Sequence, residues 1–386
     1  MHVPWGGFNT VEGYNLIYRV GYTKRWVKRD SLKPDDRPKV SRLEITPIAR
    51  YAFDRKTYNG ILRAEYRSGK RRISLEGGKY IQQFNSEDPI HPIVNTVTTL
   101  FFKDNLMKIY ERNYVDLKWR EQVNQKLSVY TQWTYARRSE LFNNTGYSII
   151  NYREKDYTPN APENVESNST GFLPHNAFTG VIGFEARPWQ KYRIRNGAKY
   201  RVSNSSPIFK GEYRAGFGAL GSDVRFDQVE LGVRQQVKFG IRGTLDVSLK
   251  GGAFLNTDKM YFMDYEHFLG NRTAIVTSDP IGSYRLLDYY KYSTKDKYFT
   301  ANAHYHFRKF LLTSIPYVRL AGVTENIFVN YLYTPSSLNY TEVGYGLDGI
   351  LRLFRLEFAA SFQNGTYTES GFRVGISSTL GANFND

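Results

Sequence analysis

Residues 229–239 read VELGVRQQVKF, and apolar side chains alternate in this stretch with polar or small ones. A period of two is typical of a β-strand with one apolar face and one polar face. The same alternation is clear at residues 209–217 and 245–253. Strands of about ten residues with charges along one face match the span of a tilted membrane strand. The sequence therefore predicts an all-β, antiparallel transmembrane β-barrel. A soluble β-sandwich, which would place the charged face in water, is the alternative.

The composition of the 386 residues agrees with this class of protein. The chain contains 31 Tyr, 25 Phe and 5 Trp, and the excess of Tyr suits an apolar surface band with wet edges. Charged residues make up 23%, and no apolar run reaches the roughly 18 residues of a membrane helix, which excludes a helical membrane protein. A barrel remains compatible with this charge content because its strands alternate.

The net charge of +16 and the lack of cysteine limit the partners. Lys and Arg are dispersed along strands and loops, which argues against nucleic acid as a partner. Without cysteine there are no disulfides and no cysteine-metal sites, and the composition suits a bacterial envelope protein. No signal peptide follows Met1, so we expect a mature form or a piece of a longer polypeptide.

The strand count predicts how the barrel is organised. Sixteen strand-like segments are found if the ambiguous segment 94–102 is a strand; a short helix is the alternative there. Both termini then lie in the periplasm, and the segments 11–22 and 370–380 meet at a closing seam in the bacterial outer membrane. We expect a periplasmic leader at 1–10, the barrel at 11–380 and a tail at 381–386.

The same count predicts which connections share an end of the barrel. The short turns at 54–60, 123–125 and 240–242 fall at one end, and the long loops that begin near residues 23, 143 and 256 fall at the other. Short turns are periplasmic and long loops external in bacterial barrels. The basic loop at 23–42 is then an external loop, either simply solvated or in contact with lipid phosphates such as those of lipopolysaccharide.

The interval 256–297 lacks alternation and interrupts an otherwise regular series of strands. An interval this long inside a compact fold is typically functional or ordered, and we expect it to fold into the lumen. Asp264 and His267 are candidates for an acid–base pair. A hydrogen-bonded structural cluster that holds the loop in place is the favoured interpretation.

Other candidate chemistry is sparse. His304 and His306 share one face of a strand, so a metal is conceivable, but lumen-facing polar residues are favoured because no third ligand is in sequence. No nucleophile elbow, P-loop or dinucleotide motif is present. We therefore predict no enzyme, no catalytic, cofactor-binding or metal residues, and no cofactor.

Charged residues fall opposite the apolar stripe on several strands, and on the lipid side each cation near the midplane would cost about 2–4 kcal/mol. They are expected to line the lumen, either as a polar network that supports the loop or as an ion or solute path. They are Arg234, Lys238, Asp246, Lys250, Arg355, Glu357 and Arg373.

Motifs in the last third support a resemblance. Phe268-Leu269-Gly270-Asn271 and Asp288-Tyr289-Tyr290 stand where the BamA-type assembly-factor and surface-antigen barrels have Phe-x-x-Gly-Gly and Arg-Gly-Tyr patterns on a loop that folds into the lumen. Phe328-Val329-Asn330 resembles the Phe-x-Asp strand motif that receives the arginine of that loop. Gly375, Ile376 and Leu380 partly match a carboxy-terminal assembly signal.

The whole chain is more similar to a Gram-negative barrel family of unknown function, typically placed behind a carboxypeptidase-regulatory-like domain. The stretches that carry this resemblance are residues 8–13, 264–271 and 289–294. The resemblance implies a lumenal-loop motif formed by Asp264, His267, Phe268, Gly270, Asn271, Asp288, Tyr289 and Tyr290. Asp288 stands where arginine is expected and Asn330 where its acidic partner is expected, so the loop should dock without that salt bridge.

The resemblance implies a role in outer-membrane biogenesis, with insertion or translocation of protein or lipid at the seam. Its partners would be outer-membrane lipids, including lipopolysaccharide, and unfolded outer-membrane or secreted client proteins. The alternative is a passive channel or surface receptor that is gated by the inward loop.

Overall fold

The computed structural model describes residues 5–28, 39–150, 152–195, 198–202, 206–270, 275–276 and 281–376. The first strands are β1 (Trp5–Asn9), β2 (Gly13–Arg19), β3 (Tyr22–Lys28), β4 (Lys39–Ala52), β5 (Thr57–Ser68), β6 (Arg71–Gln83), β7 (Ile109–Glu121), β8 (Leu127–Ser139), β9 (His175–Ala186) and β10 (Tyr192–Arg195). The others are β11 (Ala198–Arg201), β12 (Ile208–Gly216), β13 (Arg225–Lys238), β14 (Gly243–Lys259), β15 (Ile275–Val276), β16 (Tyr298–Phe307), β17 (Thr324–Tyr333), β18 (Tyr340–Ile350), β19 (Phe354–Gln363) and β20 (Thr366–Ile376). Two α-helices, α1 (Pro92–Phe102) and α2 (Pro316–Leu320), lie in connections.

One sheet contains every described strand except β10 and β11, which form a separate hairpin. Its main wall is antiparallel and follows chain order, and the two-residue strand β15 runs parallel to β20. β2 and β3 both pair with β4 and so form one interrupted wall strand. β1 folds back along β2. The prediction of an all-β fold with an antiparallel sheet is confirmed.

Alternation gives the wall two different faces. On β17, Phe328, Asn330 and Leu332 are buried, whereas Val329 between them is 40% exposed. Large apolar side chains are exposed along most of the described strands. The charges that the sequence assigns to the inner face include four buried ones. These are Asp246, Arg355, Glu357 and Arg373.

Residues 94–102 lie in helix α1 and are not a strand, so the predicted strand is wrong and the helix alternative is right. Pro92 occupies the first turn, and the His91 ring accepts a hydrogen bond from the Ile93 amide at 3.2 Å, which caps the helix. The Asn95 amide group donates to the Phe8 carbonyl at 3.2 Å. Local β-propensity is overridden because capping and tertiary contacts favour the helix.

The wall begins before residue 11. Residues 5–9 form β1, and the turn at 10–12 divides β1 from β2, so the predicted leader 1–10 and first strand 11–22 need correction. Phe8 and Glu12 are buried, and the Glu12 carboxylate pairs with the buried Arg50 of β4. A hairpin with such a buried ion pair belongs to the sheet itself and is not a leader that precedes it.

The antiparallel order defines two ends. The long-loop end carries the connections 53–56, 84–108, 140–174, 217–224, 260–297, 334–339 and 364–365. The short-turn end carries 69–70, 122–126, 187–207, 239–242, 308–323, 351–353 and the β3–β4 connection. The predicted grouping is therefore wrong for the turn at 54–60 and for the basic loop at 23–42. The reason is that α1 replaces a wall strand between β6 and β7, so no extra crossing of the wall occurs there.

Three connections of the long-loop end pack together in one aromatic cluster. Phe84 comes from the connection that carries α1, Phe172 from residues 140–174, and Phe262, Met263 and Tyr290 from residues 260–297. This packing places the core of the molecule between these connections and the inner face of the wall. The last described strand ends at Ile376, so Leu380 and the predicted tail 381–386 lie outside the described residues.

Candidate functional site: the lumenal loop and its anchors

The lumenal loop is the connection between β14 and β16, residues 260–297. It starts later than the predicted boundary at 256 because β14 continues to Lys259. A 3-10 turn at Phe262–Asp264 opens it. Residues 275–276 pair in parallel with Val374 and Gly375 of β20 through the backbone. The loop therefore reaches from the wall strands β14 and β16 to β20, the last described strand, which carries the predicted carboxy-terminal signal residues Gly375 and Ile376.

Arg285 is the central anchor of the loop. Its side chain is 2% exposed, and its Nη2 lies 3.1 Å from Oε1 of Glu357 on β19. The guanidinium lies over the Phe328 ring, 4.1 Å from the ring centroid. Arg355 and Arg373 also lie beside Glu357, so this carboxylate is surrounded by three arginines. Arg285 therefore ties the loop to β17 and β19 at once.

Glu342 on β18 binds the backbone beside this arginine. Its carboxylate accepts hydrogen bonds from the amides of Arg285, Leu286 and Leu287 at 2.6, 2.8 and 3.2 Å. The Asn330 side chain donates to the Ser283 carbonyl at 3.2 Å. Three consecutive amides on one carboxylate fix the course of the backbone as well as the position of the arginine.

The arginine of the loop is thus at position 285, and the expectation that Asp288 replaces it is wrong. Asp288 lies 3.7 Å from Lys291, and both side chains are about 40% exposed. Phe328 does receive the arginine of the loop, but Asn330 contacts Ser283 and Glu342 instead of a residue at 288. Ser283-Tyr284-Arg285 is the sequence signal of this arginine, and it lies three residues before the predicted position.

Asp264 forms a second anchor at the start of the loop. Both of its carboxylate oxygens accept from Nη1 of Arg138 on β8 at 2.9 Å. Arg214 on β12 donates to the Asp264 carbonyl at 2.7 Å. Asp264 and Arg138 are both buried, so this pair is part of the core and not a surface contact.

A third anchor surrounds Glu266. Lys250 Nζ lies 2.6 Å from Glu266 and 3.3 Å from Glu230, and the Tyr298 hydroxyl donates to Glu230 at 2.6 Å. Burial opposes ionisation of Glu266, but the adjacent Lys250 and Arg214 hold the pKa of its carboxyl below the ordinary value. Glu266 therefore carries a negative charge in the folded loop.

His267 takes part in packing and hydrogen bonding. Its Nδ1 lies 2.8 Å from Ser293 Oγ within the loop. Burial lowers the pKa of the imidazole to about 3, so the ring is neutral near pH 7. Because Asp264 is engaged by Arg138 and His267 by Ser293, the geometry favours the structural cluster over an acid–base pair.

The other predicted loop residues are packing positions. Phe268 is buried in a cluster with Tyr284, Leu287, Tyr292, Tyr298, Leu332 and Tyr340. Tyr290 adopts a left-handed backbone conformation with φ of 67° and lies against Phe84 and Phe262. Tyr289 is partly buried against the same aromatic cluster. Asn271 lies outside the described residues.

Gly270→Ala is expected to loosen the lumenal loop. A methyl group there would lie 2.7 Å from the Leu287 carbonyl oxygen and 2.9 Å from that of Asp288. Overpacking of this kind costs about 1–3 kcal/mol, measurable by urea unfolding in detergent. Gly218→Ala is the control because nothing lies within 4 Å of an added methyl group there. Equal unfolding midpoints for both variants and the wild type would show that the close approach is absent.

The connection 140–174 holds the lumenal loop from its other side, which the sequence did not predict. The Asn164 side chain donates to the carbonyls of Tyr290 and Ser293, each at 2.8 Å. Glu166 accepts from the Thr294 hydroxyl at 2.9 Å. The composition of residues 140–174 predicted a long exposed loop. In the structure, however, its Asn164 and Glu166 side chains form hydrogen bonds with the lumenal loop.

A charged cavity of about 530 Å³ lies beside β5–β8 on the inner face. Arg63, Glu65, Glu76, Arg112 and Asp116 are among its lining residues. Asp88, from the connection that carries α1, also lines it, and burial raises the pKa of that carboxyl to about 6. The cavity is a polar space that could admit water or a small ion.

The histidine pair lies on β16. The rings of His304 and His306 are 4.2 Å apart, and His306 Nε2 lies 3.8 Å from Asp246. No group of three potential metal ligands is found among the described residues. Within the same residues, no helix combines the length and apolar character needed to cross a membrane.

Comparisons with known proteins give one family and several structures. A model described as "Family of unknown function (DUF5686) C-terminal domain" matches residues 3–347. No curated protein matches the sequence. Among solved structures, CdiB from Acinetobacter baumannii is 11% identical with a TM-score of 0.44, and the match covers 96% of this chain and 58% of that protein.

Two further structures are similar. BamA from Haemophilus ducreyi lacking POTRA domains 1-3 is 11% identical, covering 96% of this chain and 69% of that one, with a TM-score of 0.44. Pseudomonas aeruginosa OpdQ is 8% identical, covering 93% and 84%, with a TM-score of 0.38.

Proposed function

Since this chain belongs to the family of unknown function described as the DUF5686 C-terminal domain, we propose that it is an outer-membrane barrel that acts in envelope biogenesis at its seam. The described part of the chain supplies sixteen wall strands if β1 and the joined β2–β3 each count as one, followed by β4–β9, β12–β14 and β16–β20. This keeps the predicted number but replaces segment 94–102 with β1 as one of the strands.

The long-loop end faces outward and the short-turn end faces the periplasm. The three longest connections, 84–108, 140–174 and 260–297, all lie at the long-loop end, and long loops are external in such barrels. β1 enters from the short-turn end and β20 ends there. Both ends of the strand series are thus periplasmic.

The seam is the observation that carries the proposal. Among the described residues, β3 pairs with β4 alone, and β20 pairs with β19 and over two residues with β15. β1 pairs with β2, and part of its other edge is occupied, because the Phe8 amide donates to Thr96 and the Phe8 carbonyl accepts from Asn95 of α1. The open backbone edges are therefore those of β3 and of most of β20. Unpaired strand edges are templates for an incoming strand. The client that fits these edges is an unfolded outer-membrane or secreted polypeptide, which would add a strand at the seam.

The anchored lumenal loop favours a function at the seam over a function as a wide pore. Arg285, Asp264 and Glu266 fix the loop to opposite parts of the wall. A loop that crosses the lumen in this way leaves the cavity of about 530 Å³ beside β5–β8. That cavity is what favours the second candidate, a gated channel for small ions or solutes.

Closing the seam with a disulfide is expected to abolish the biogenesis role. The chain has no cysteine, so Trp5→Cys combined with Phe372→Cys or Val374→Cys adds the only two thiols of the protein, one on β1 and one on β20. After depletion of the native protein, the oxidised variant should leave other outer-membrane proteins several-fold below their normal level, and reduction should restore them.

The control staples a pair that is already neighbouring, Tyr66→Cys with Ile73→Cys across β5 and β6. It should support normal levels when oxidised. Full activity of the oxidised seam variant contradicts the proposal. Planar-bilayer conductance that oxidation leaves unchanged favours the channel instead.

A further inference from the structure

The connection between β16 and β17, here called the rim segment (residues 308–323), displays apolar side chains outward. Leu311, Tyr317 and Leu320 are 64%, 84% and 80% exposed. None of the residues of α2, which forms its second half, is buried. Ile241 in the adjacent turn 239–242 is also 80% exposed. A contiguous exposed apolar surface of this kind marks a lipid or partner contact.

The rim segment is held in this arrangement by Glu325 of β17. The buried Glu325 carboxylate accepts from the amides of Leu312 and Thr313 at 2.8 and 2.9 Å, and also from the hydroxyls of Thr313 and Tyr345. The Phe310 amide donates to Thr313 Oγ1 at 2.9 Å. Polar groups of the segment are thus satisfied on the barrel side, which leaves its apolar side chains to face away.

The apolar surface of the rim segment continues the outer face of the wall. The Phe310 ring stacks on Phe307 with centroids 4.1 Å apart, and Phe307 contacts Tyr305 at 4.5 Å. Tyr305 and Phe307 alternate with the inward-facing His304 and share the outer face of β16 with Phe299. Whatever covers the outer face of the barrel therefore also reaches the rim segment.

Four cations surround this surface. Arg242, Arg308, Lys309 and Arg319 line a cleft of about 730 Å³ together with Phe310. All four are exposed, and none forms an ion pair within the described part of the chain. No Asp or Glu occurs in residues 239–242 or 308–323. Positive charge beside an apolar face is the pattern of a segment that lies in a membrane interface.

We propose that the rim segment is a binding site for an anionic phospholipid of the periplasmic leaflet. Arg242, Arg308, Lys309 and Arg319 bind the phosphate of the headgroup, and Leu311, Tyr317 and Leu320 enter the boundary of the acyl chains. The four cations complement the negative charge of a lipid phosphate, and the apolar side chains continue the outer face of the wall. Both features favour a lipid as the occupant. The inference rests on the proposed membrane barrel and orientation, and it is independent of the role at the seam.

Lipid retention by the full chain tests the site. Protein in detergent is given equal phosphatidylglycerol and phosphatidylcholine, and retained lipids are counted by native mass spectrometry. The wild type should prefer phosphatidylglycerol. Arg242→Gln/Arg308→Gln/Arg319→Gln should lower that preference by about tenfold or more, the size expected when three cations leave an anionic surface. Leu311→Ser/Leu320→Ser should lower retention of both lipids without changing their ratio.

The matched control removes three exposed cations at the long-loop end, Lys56→Gln/Arg153→Gln/Lys297→Gln, and should keep the preference. Equal loss in both triple variants, no loss in the rim variant, or no preference in the wild type overturns the proposal. So does loss of the preference in millimolar inorganic phosphate, which would indicate a free-anion site.

Dimers in the same spectra that the rim variant abolishes would instead assign the surface to contact between copies of the chain. Heat-modifiable mobility on gels checks that each variant is folded. A monodisperse, detergent-free wild type would overturn the membrane barrel itself, which is a result distinct from failure of the lipid site alone.

Discussion

Arg285→Met is expected to release the lumenal loop and to lower the free energy of unfolding by about 1.5–3 kcal/mol, the range for a lost hydrogen bond to a charged group. The buried Glu357 carboxylate keeps two cations beside it, Arg355 at 4.0 Å and its cross-strand neighbour Arg373, but it loses its hydrogen bond from Arg285. It also removes the guanidinium from the face of Phe328. Glu342 would still hold the backbone amides of residues 285–287, but their position depends on the side chain that is lost.

Two measurements follow this release. Urea unfolding in detergent gives the loss of stability, and chymotrypsin cleavage after Tyr284 and Tyr292, which are 1% and 4% exposed, reports detachment of the loop. Arg285→Lys should fall between the wild type and Arg285→Met, because lysine keeps the charge but not the planar fork.

Asp288→Asn is the control for Arg285. The Asp288 and Lys291 side chains are each about 40% exposed and lie 3.7 Å apart, so the loss should be below about 1 kcal/mol. If Asp288→Asn exposes the cleavage sites as strongly as Arg285→Met, the anchor is at 288 and the assignment to Arg285 fails.

Asp264→Leu alone is expected to destabilise the barrel more than Arg138→Met/Asp264→Leu. The single change leaves the Arg138 guanidinium buried without the carboxylate that it contacts twice at 2.9 Å, at a cost of about 3–5 kcal/mol. The double change removes both charges and leaves two apolar side chains of similar length. Arg214 keeps its contact with the backbone carbonyl of residue 264 in either case.

A double-mutant cycle on unfolding free energies isolates this pair, and the coupling should reach about 1.5–3 kcal/mol. The control cycle uses Lys155 and Asp104, which are 2.6 Å apart but more than 40% exposed. Its coupling should stay below about 1 kcal/mol. Additive effects at Asp264 and Arg138 would mean that the buried pair does not hold the loop.

The sequence located the loop correctly because it breaks the period of two between two alternating segments. Phe268, Gly270 and Tyr290 were found by their motifs and are buried or closely packed in the structure. Arg285 was not predicted because the Arg-Gly-Tyr pattern was assigned to residues 288–290, three residues after the arginine. Nothing in the local pattern near Asn164 indicated that its side chain contacts residues 290–293, since composition predicts a loop but not its partner.

The grouping of the connections at the two ends of the wall was predicted wrongly for a related reason. One segment, 94–102, has both β-branched residues and a proline start, and its state depends on contacts with Phe8 far away in sequence. Because this segment is a helix and not a strand, the turn at 54–60 and the basic loop at 23–42 lie at the opposite ends of the wall from those predicted. One segment with the wrong secondary structure therefore exchanges the two ends for every connection that precedes it in the chain.

By itself the sequence determined the antiparallel wall, the direction of its apolar and charged faces, and the position of the lumenal loop. These properties follow from side-chain alternation, which is local because successive residues of a strand point to opposite faces. Only the tertiary structure decided that residues 94–102 are helical, that β1 belongs to the wall, and that Arg285 meets Glu357. Those outcomes depend on burial and on partners such as Arg138 and Asp264, 126 residues apart, whose pairing no local period encodes.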